Sequence, residues 1–333
     1  TGCTGCTGNA CDASSADCTS SMSLLDRFGV SEGDLVQQFQ GCVVGRTLVM
    51  DGDAACYKAT NDCKKMETAT RRFTTMIYEA MYLTQAEFAR VHLTPKGCLK
   101  NNRHLLIGAK PYQANRGGKP KPPLLEPLRS TAPNLFHPSD KVQVFGHFNI
   151  EADDAVMIDA YSVENCIVWS EDKDLNIVPC PRYCIKTGRT LVLTPGDRFG
   201  WIGTRSTESG KLKPDGHGTK FFWLQMLMGD TADNVKGILK FDGKLCGEVA
   251  ALAALNAITC EHHAANLVLN AYRVIDQNPI PEAEMLWLQR APNDSAIGYI
   301  WGLNLTERNR QFLLECYNRP YIMSPEEYNE EDS

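Results

Sequence analysis

Short apolar runs that end in carboxylates are the most regular hydrophobic signal in this chain. Thr47 to Met50 is a β-rich run closed by Asp51, Gly52 and Asp53, the pattern of a buried strand that delivers an acid at its C-terminal end. Val142 to Phe148 alternates like a strand and leads into Glu151 to Val163, which reads as a helix. Cys166 to Ser170 is a further strand, again ending in acids at Glu171, Asp172 and Asp174. Between the first two strands, Thr70 to Phe88 places Phe73, Ile77, Tyr78 and Met81 near helical spacing, as a crossover connection requires. The order strand, helix, strand predicts an α/β fold with a central, mostly parallel sheet flanked by helices.

Beyond about residue 205 strand patterns give way to helical ones, at 221–228, 247–257, 261–272, 282–290 and 306–317. Residues 96–129 have a different texture, because five prolines and the pair Gly117-Gly118 cannot continue a helix or a central strand. This stretch is expected to be a long loop carrying eight basic residues against one acid, Glu126. Seen alone, such a charge run reads as a solvated linker. The expected organisation is a leader (1–21), an α/β core (22–205), a helical region (206–323) and a disordered acidic tail (324–333).

Composition narrows the class. With 333 residues, 43% hydrophobic and 22% charged, the chain can bury a sizeable core, and no apolar run reaches membrane-spanning length, so no membrane partner is expected. Four of the 14 cysteines lie in the first 21 residues and the rest are scattered, as in a reduced, cytoplasmic protein. The leader lacks a basic and an apolar region, so it reads as a non-native or disordered segment rather than a signal peptide. The net charge of −6 conceals an asymmetry: leader and tail carry seven acids, leaving a body near +1.

Four acidic clusters carry the candidate chemistry: Asp51 with Asp53; Glu151, Asp153 and Asp154; Asp172 and Asp174; Asp230 and Asp233. In an open parallel sheet the C-terminal strand ends share one crevice, so acids far apart in sequence converge there. Glu151, Asp153 and Asp154 fall within an arc of roughly 160° at a helix start, and Asp230 and Asp233 are i, i+3 neighbours if that segment is helical. Each cluster taken singly is also explained by helix capping or solvation. Together they would repel without cations, and hard oxygen donors select two Mg²⁺ ions, with Mn²⁺ as a substitute. Such a pair supports phosphodiester hydrolysis without a protein nucleophile. Apart from eight of these acids, all but Asp53, the body carries about +9, a balance suited to nucleic acid. Rival chemistries recede: Gly237 to Leu245 has the wrong P-loop spacing, and neither GxSxG nor HExxH occurs.

The sequences MDGD at 50–53, EADD at 151–154, DKD at 172–174 and GDTADNVKG at 229–237 resemble the 5′-nuclease superfamily. With YQANR at 112–116, the chain looks most like tailed-phage 5′→3′ exonucleases. The resemblance implies a PIN/5′-nuclease-like fold whose C-terminal part holds a helix-three-turn-helix at about 229–275, with K⁺ bound there. It implies metal ligands at Asp51, Glu151, Asp153, Asp154, Asp172, Asp174, Asp230 and Asp233, with Lys110 and Arg116 assisting catalysis. It implies DNA contacts from Lys96, Lys100, Arg103, Lys110, Tyr112, Arg116, Lys119, Lys121, Asn234, Lys236, Gly237, Gly243 and Lys244. The expected activity is a Mg²⁺-dependent 5′→3′ exodeoxyribonuclease, phage-encoded, acting on duplex DNA with a 5′ end in replication, primer removal or host DNA degradation. Replication proteins such as a polymerase or a single-strand-binding protein are the implied partners. A flap endonuclease or RNase H type primer remover, acting on a flap or an RNA–DNA hybrid, and a catalytically silent DNA-binding homologue are the alternatives. Gln113 stands where the family has Lys, and no acid occupies residues 91–96 where the family has another metal-site Asp.

Overall fold

The computed structural model describes residues 41–117, 120–138, 140–184, 188–191, 198–207 and 209–331. The expected leader, Lys119 and the last two tail residues lie outside them. Strand β1 (Val43–Asp51) is followed by helices α1 (Gly52–Thr60) and α2 (Met66–Thr84), then β2 (Ala86–Leu93), α3 (Leu125–Thr131), β3 (Val142–Gly146), α4 (Ala152–Ser162) and β4 (Cys166–Trp169). Strands β5 (Arg182–Cys184) and β6 (Arg189–Leu191) complete a sheet of order β3-β2-β1-β4-β5-β6, parallel except for the β5–β6 pair. Helices bridge β1 to β2, β2 to β3 and β3 to β4, the crossovers that parallel pairing demands.

The centre of the sheet is buried on both faces, which is why β1 reads as a continuous apolar run. Leu48 and Met50 pack with Phe73 and Ile77 of α2 and with Leu125 and Leu128 of α3. Val49, pointing the other way, joins a core with Val156 and Met157 of α4 and with the C-terminal helices. Those helices are α5 (Thr219–Met228), α6 (Glu248–Asn256), α7 (Glu261–Val274), α8 (Ile280–Leu286), α9 (Ala296–Trp301) and α10 (Glu307–Tyr317). One continuous core joins this face of the sheet to the helices, and residues from Cys42 onward form one compact unit.

Several expectations are corrected. The helix expected to reach Phe88 stops at Thr84, where Gln85 takes φ 55°, and β2 follows. Its apolar alternation is broken by half-buried Arg90 and buried His92, which lie on one face of the strand and both bond Asp159 of α4. Strand patterns also persist past residue 205, since the hairpin β7 (Trp201–Ser206) and β8 (Leu212–His217) straddles it. The basic segment is not loop throughout: it holds short 3₁₀ turns at Lys100–Leu105 and Ala114–Arg116, and α3 begins within it, with Pro127 in the first turn where no backbone N–H bond is lost. The acidic tail forms α11 (Pro325–Glu331), set against the core by Tyr328 on His104 and by Met323 N–H donating to Leu105 C=O at 2.8 Å. Among the described residues no helix is long and apolar enough to cross a membrane.

Candidate active site

The strand order places β2 on one side of β1 and β4 on the other, so the C-terminal ends of β1 and β4 frame the crevice where open α/β sheets bind ligands. Asp51 ends β1 and caps α1, its Oδ1 accepting from Asp53 N–H at 2.9 Å. After β4, Ser170 Oγ lies 3.5 Å from Asp51 Oδ2 and accepts from Asp172 N–H at 3.0 Å, while Asp172 Oδ1 accepts from Asp174 N–H at 2.9 Å. Asp153 enters from the first turn of α4.

These carboxylates are crowded. Burial, then Asp53 and Asp172, push Asp51 up to about 7. Burial, then Asp51, Asp172, Glu151 and Asp154, hold Asp153 well above the usual carboxylate range. Asp53 is also raised by burial, although Arg129 Nε at 3.0 Å opposes the shift.

Beside them lies a second group, Asp174, Asp230 and Asp233, whose ligand oxygens all fall within 4.8 Å of one another. Burial, then Asp172, Asp230 and Asp233, push Asp174 up to about 8 against the pull of Lys173. The Lys173 ammonium bonds both Asp174, at 2.9 Å, and Asp230. For Asp230 burial acts upward, but Lys173, the Ala232 N–H bond and Asp174 act against it together and the carboxyl is lowered. Gln225 of α5 donates to Asp174 at 2.7 Å and to Asp230 at 3.3 Å.

Asp230 and Asp233 are not on a helix, as the i, i+3 reading assumed. They sit in a turn closed by reciprocal Asp230 and Val235 backbone bonds of 2.8 Å. Gly229 and Gly237, at φ 76° and 68°, make the turn possible: a Cβ on Gly237 would stand 2.5 Å from Gly229 N, and one on Gly229 2.4 Å from Lys236 O. Turns and an isolated Phe241–Lys244 bridge, with Gly243 at φ 75°, then carry the chain from α5 to α6.

The basic segment folds against this site instead of running free beside it. Arg103, buried, bonds Asp154 through Nη1 and Nη2 at 2.8 and 2.6 Å, Glu151 at 3.0 Å and Trp287 C=O at 2.7 Å. Tyr112 Oη donates to Glu151 at 2.8 Å. Arg103 and Tyr112, expected at the DNA, are therefore buried scaffolding. Asp154, expected at a metal, also accepts from Gln289 N–H at 3.0 Å and forms a capping box with Glu151, so its oxygens face its own helix and Arg103. Glu151 is occupied by Arg103, Tyr112 and Gln113.

Gln113 donates to Asp233 at 2.9 Å and to Glu151 at 3.3 Å, and accepts from Lys100, whose ammonium is 3.5 Å from Glu151. Lys100 thus brings a cation to Gln113, and Lys110 is exposed. Arg116 bonds Asp233, and Asn234 donates to Pro111 C=O at 2.8 Å, pinning the segment to the turn. Lys96, Lys110, Lys121 and Lys244 are exposed, and Lys236 is half-buried. Lys173, Gln225 and Ser170 were missed. A single Gln in the apolar run Phe221 to Met228 was a signal for Gln225, and Lys173 lies inside the acidic motif itself; nothing in the sequence marked Ser170.

No family model matches the chain, and no curated protein matches it. Among solved structures it is similar to T5 5′-exonuclease with divalent zinc bound, at 14% identity over 82% of this chain and 98% of that one, with a TM-score of 0.49. It is also similar to the bacteriophage T5 flap endonuclease in a pseudo-enzyme–product complex with DNA and metal ions, at 14% identity over 82% of this chain and 100% of that one, with a TM-score of 0.48. At this distance, function has to be argued from the residues of the crevice.

Proposed function

We propose that the chain is a Mg²⁺-dependent 5′→3′ exodeoxyribonuclease of the 5′-nuclease superfamily, phage-encoded and acting in DNA replication, primer removal or host DNA degradation. The observation that carries the reading is the convergence of two adjoining carboxylate groups, Asp51, Asp153 and Asp172 beside Asp174, Asp230 and Asp233. Raised proton affinity at Asp51, Asp153 and Asp174 is the mark of acids gathered without enough countercharge, and an all-oxygen donor set fits hard divalent ions. The first three would hold one ion and the second three another. When bound, such a pair activates water and neutralises charge on a phosphodiester.

The remaining residues bind and orient. Arg103 and Tyr112 fix Glu151 at the rim. Lys100 and Arg116 would meet the scissile phosphate, while Lys96, Lys110 and Lys121 would follow the strand. The turns from Gly229 to Gly247, with Asn234, Lys236, Gly237, Gly243 and Lys244, would hold duplex phosphates in a helix-three-turn-helix, with K⁺ as the expected ion there.

The deciding experiment uses 5′- and 3′-labelled duplex DNA with Mg²⁺ or EDTA. Early, Mg²⁺-dependent release of the 5′ label is expected. Binding without release would favour the silent homologue, and oligonucleotide products from a flap would favour the endonuclease. A second expectation concerns Lys100. Its replacement by Ala should lower the cleavage rate at saturating DNA by roughly a hundredfold, the cost of losing one donor to a charged reacting group, with affinity changed only a few-fold. A loss confined to affinity would reduce Lys100 to a strand contact.

A further inference from the structure

On the far side of Glu151 and Asp154, a cavity of about 660 Å³ opens between the 97–102 segment, the β3–α4 connection and the 289–293 turn. The first two walls are zipped together by Leu99 N–H to Phe148 C=O and Asn101 N–H to Asn149 C=O, both at 2.7 Å. The cavity is continuous with the active-site wall through Gln289, whose N–H bonds Asp154. Its size lies within the range of small-ligand sites.

Its chemistry is unusual for a surface hollow. Five lining side chains are primary amides: Gln289, which donates to Asp294 C=O at 3.1 Å, and the exposed Asn101, Asn102, Asn149 and Asn293, whose amides face solvent and bond no other side chain or backbone group among the described residues. Asn101, Asn102 and Asn293 have φ of 53°, 57° and 62°, the left-handed region that Asn adopts more readily than most residues. Phe148, 60% exposed, stands at the wall. His147 is the sole ionisable lining group, and its Nε2 is 2.9 Å from Nδ1 of buried His92, which in turn bonds Asp159. Burial, then His92, lower His147 to about 4, so it is neutral at physiological pH.

With no charged group on its wall, the cavity is not built for a phosphate, a carboxylate or a metal ion. Primary amides pair in two-point fashion with base edges, and an exposed aromatic offers a stacking face. We propose that this cavity binds a nucleobase, stacked on Phe148 and held at its edge by the surrounding asparagine amides. That the base belongs to a strand engaged at the metal centre rests on the nuclease reading above; the affinity of the cavity for a base does not.

The test places 2-aminopurine in the 5′ overhang of a duplex, in EDTA so that nothing is cut, beside free 2-aminopurine mononucleotide. The full chain is expected to quench the fluorescence on binding, and Phe148→Tyr to retain the effect. Phe148→Ala and Asn149→Ala should each weaken the quenching complex roughly five- to hundredfold. Quenching by the free nucleotide identifies a soluble ligand, and quenching by the overhang alone identifies a strand; either supports the cavity. Equal quenching by the parent and both Ala variants, or none with either probe, overturns it. If the same duplex is still cut in Mg²⁺, that failure leaves the nuclease reading intact. Quenching by a protein that cuts no DNA would sink the nuclease reading and spare the cavity.

Discussion

Asp174→Asn is expected to abolish Mg²⁺-dependent DNA cleavage, by roughly a hundred- to thousandfold or more, while making the metal-free protein more stable at pH 8. The two effects have one cause. Asp174 is raised from an ordinary 3.8 to about 8 and Asp51 to about 7, because burial and neighbouring acids penalise their ionised forms. Well below pH 4 both are protonated in the folded and unfolded chain, and they contribute nothing to stability. As pH rises toward 8 the unfolded chain ionises freely and the folded one only reluctantly, so metal-free stability falls across that window. Each tenfold change in proton affinity corresponds to about 1.4 kcal/mol, so the penalty at Asp174, the pull of Lys173 already included, comes to several kcal/mol. The Asn variant escapes its share and should melt several degrees higher at pH 8 in EDTA, with little difference near pH 4. Mg²⁺ should raise the melting temperature of the parent far more than that of the variant. A variant that melts no higher than the parent, or cuts DNA at the parental rate, would remove Asp174 from the charged centre.

Replacing Arg103 carries the largest expected cost to folding. This one guanidinium compensates Asp154 and Glu151 and also satisfies Trp287 C=O, all away from water. Arg103→Met leaves a buried carboxylate without countercharge, a loss of about 3–5 kcal/mol. Arg103→Lys recovers only part of it, since a single ammonium cannot reproduce the two-pronged bond to Asp154. Adding Asp154→Leu to Arg103→Met removes the stranded charge and should recover much of the stability, because a pair deleted together costs less than a pair broken. Thermal unfolding of the two single variants and the double variant decides it. A melting temperature for Arg103→Met within about two degrees of the parent would show that the buried pair is not what holds this wall.

The carboxylates of the crevice were legible because their reasons are local. Strands that end in acids, an EADD at a helix start and the glycines around Asp230 and Asp233 each follow from strand termination, capping and turn chemistry. The roles of the basic residues were not legible. Arg103 and Lys121 belong to the same charge run, yet the first is buried against two acids and the second is exposed. Strand β2 was hidden for a related reason, since Arg90 and His92 look like solvent-facing residues until Asp159 is seen beneath them.

By itself, then, the sequence determined the α/β order, the buried central strand and the set of acids that could converge, because periodicity and short-range sterics act within a few residues. Only the tertiary structure decided which acids face one another and which are neutralised by Arg103, that Lys100 reaches Gln113, and that four asparagines share one cavity. Those outcomes depend on which side chains the fold brings within a few ångströms, where burial strengthens each charge–charge contact and penalises a polar group left unpaired, and such distances are not written in linear spacing.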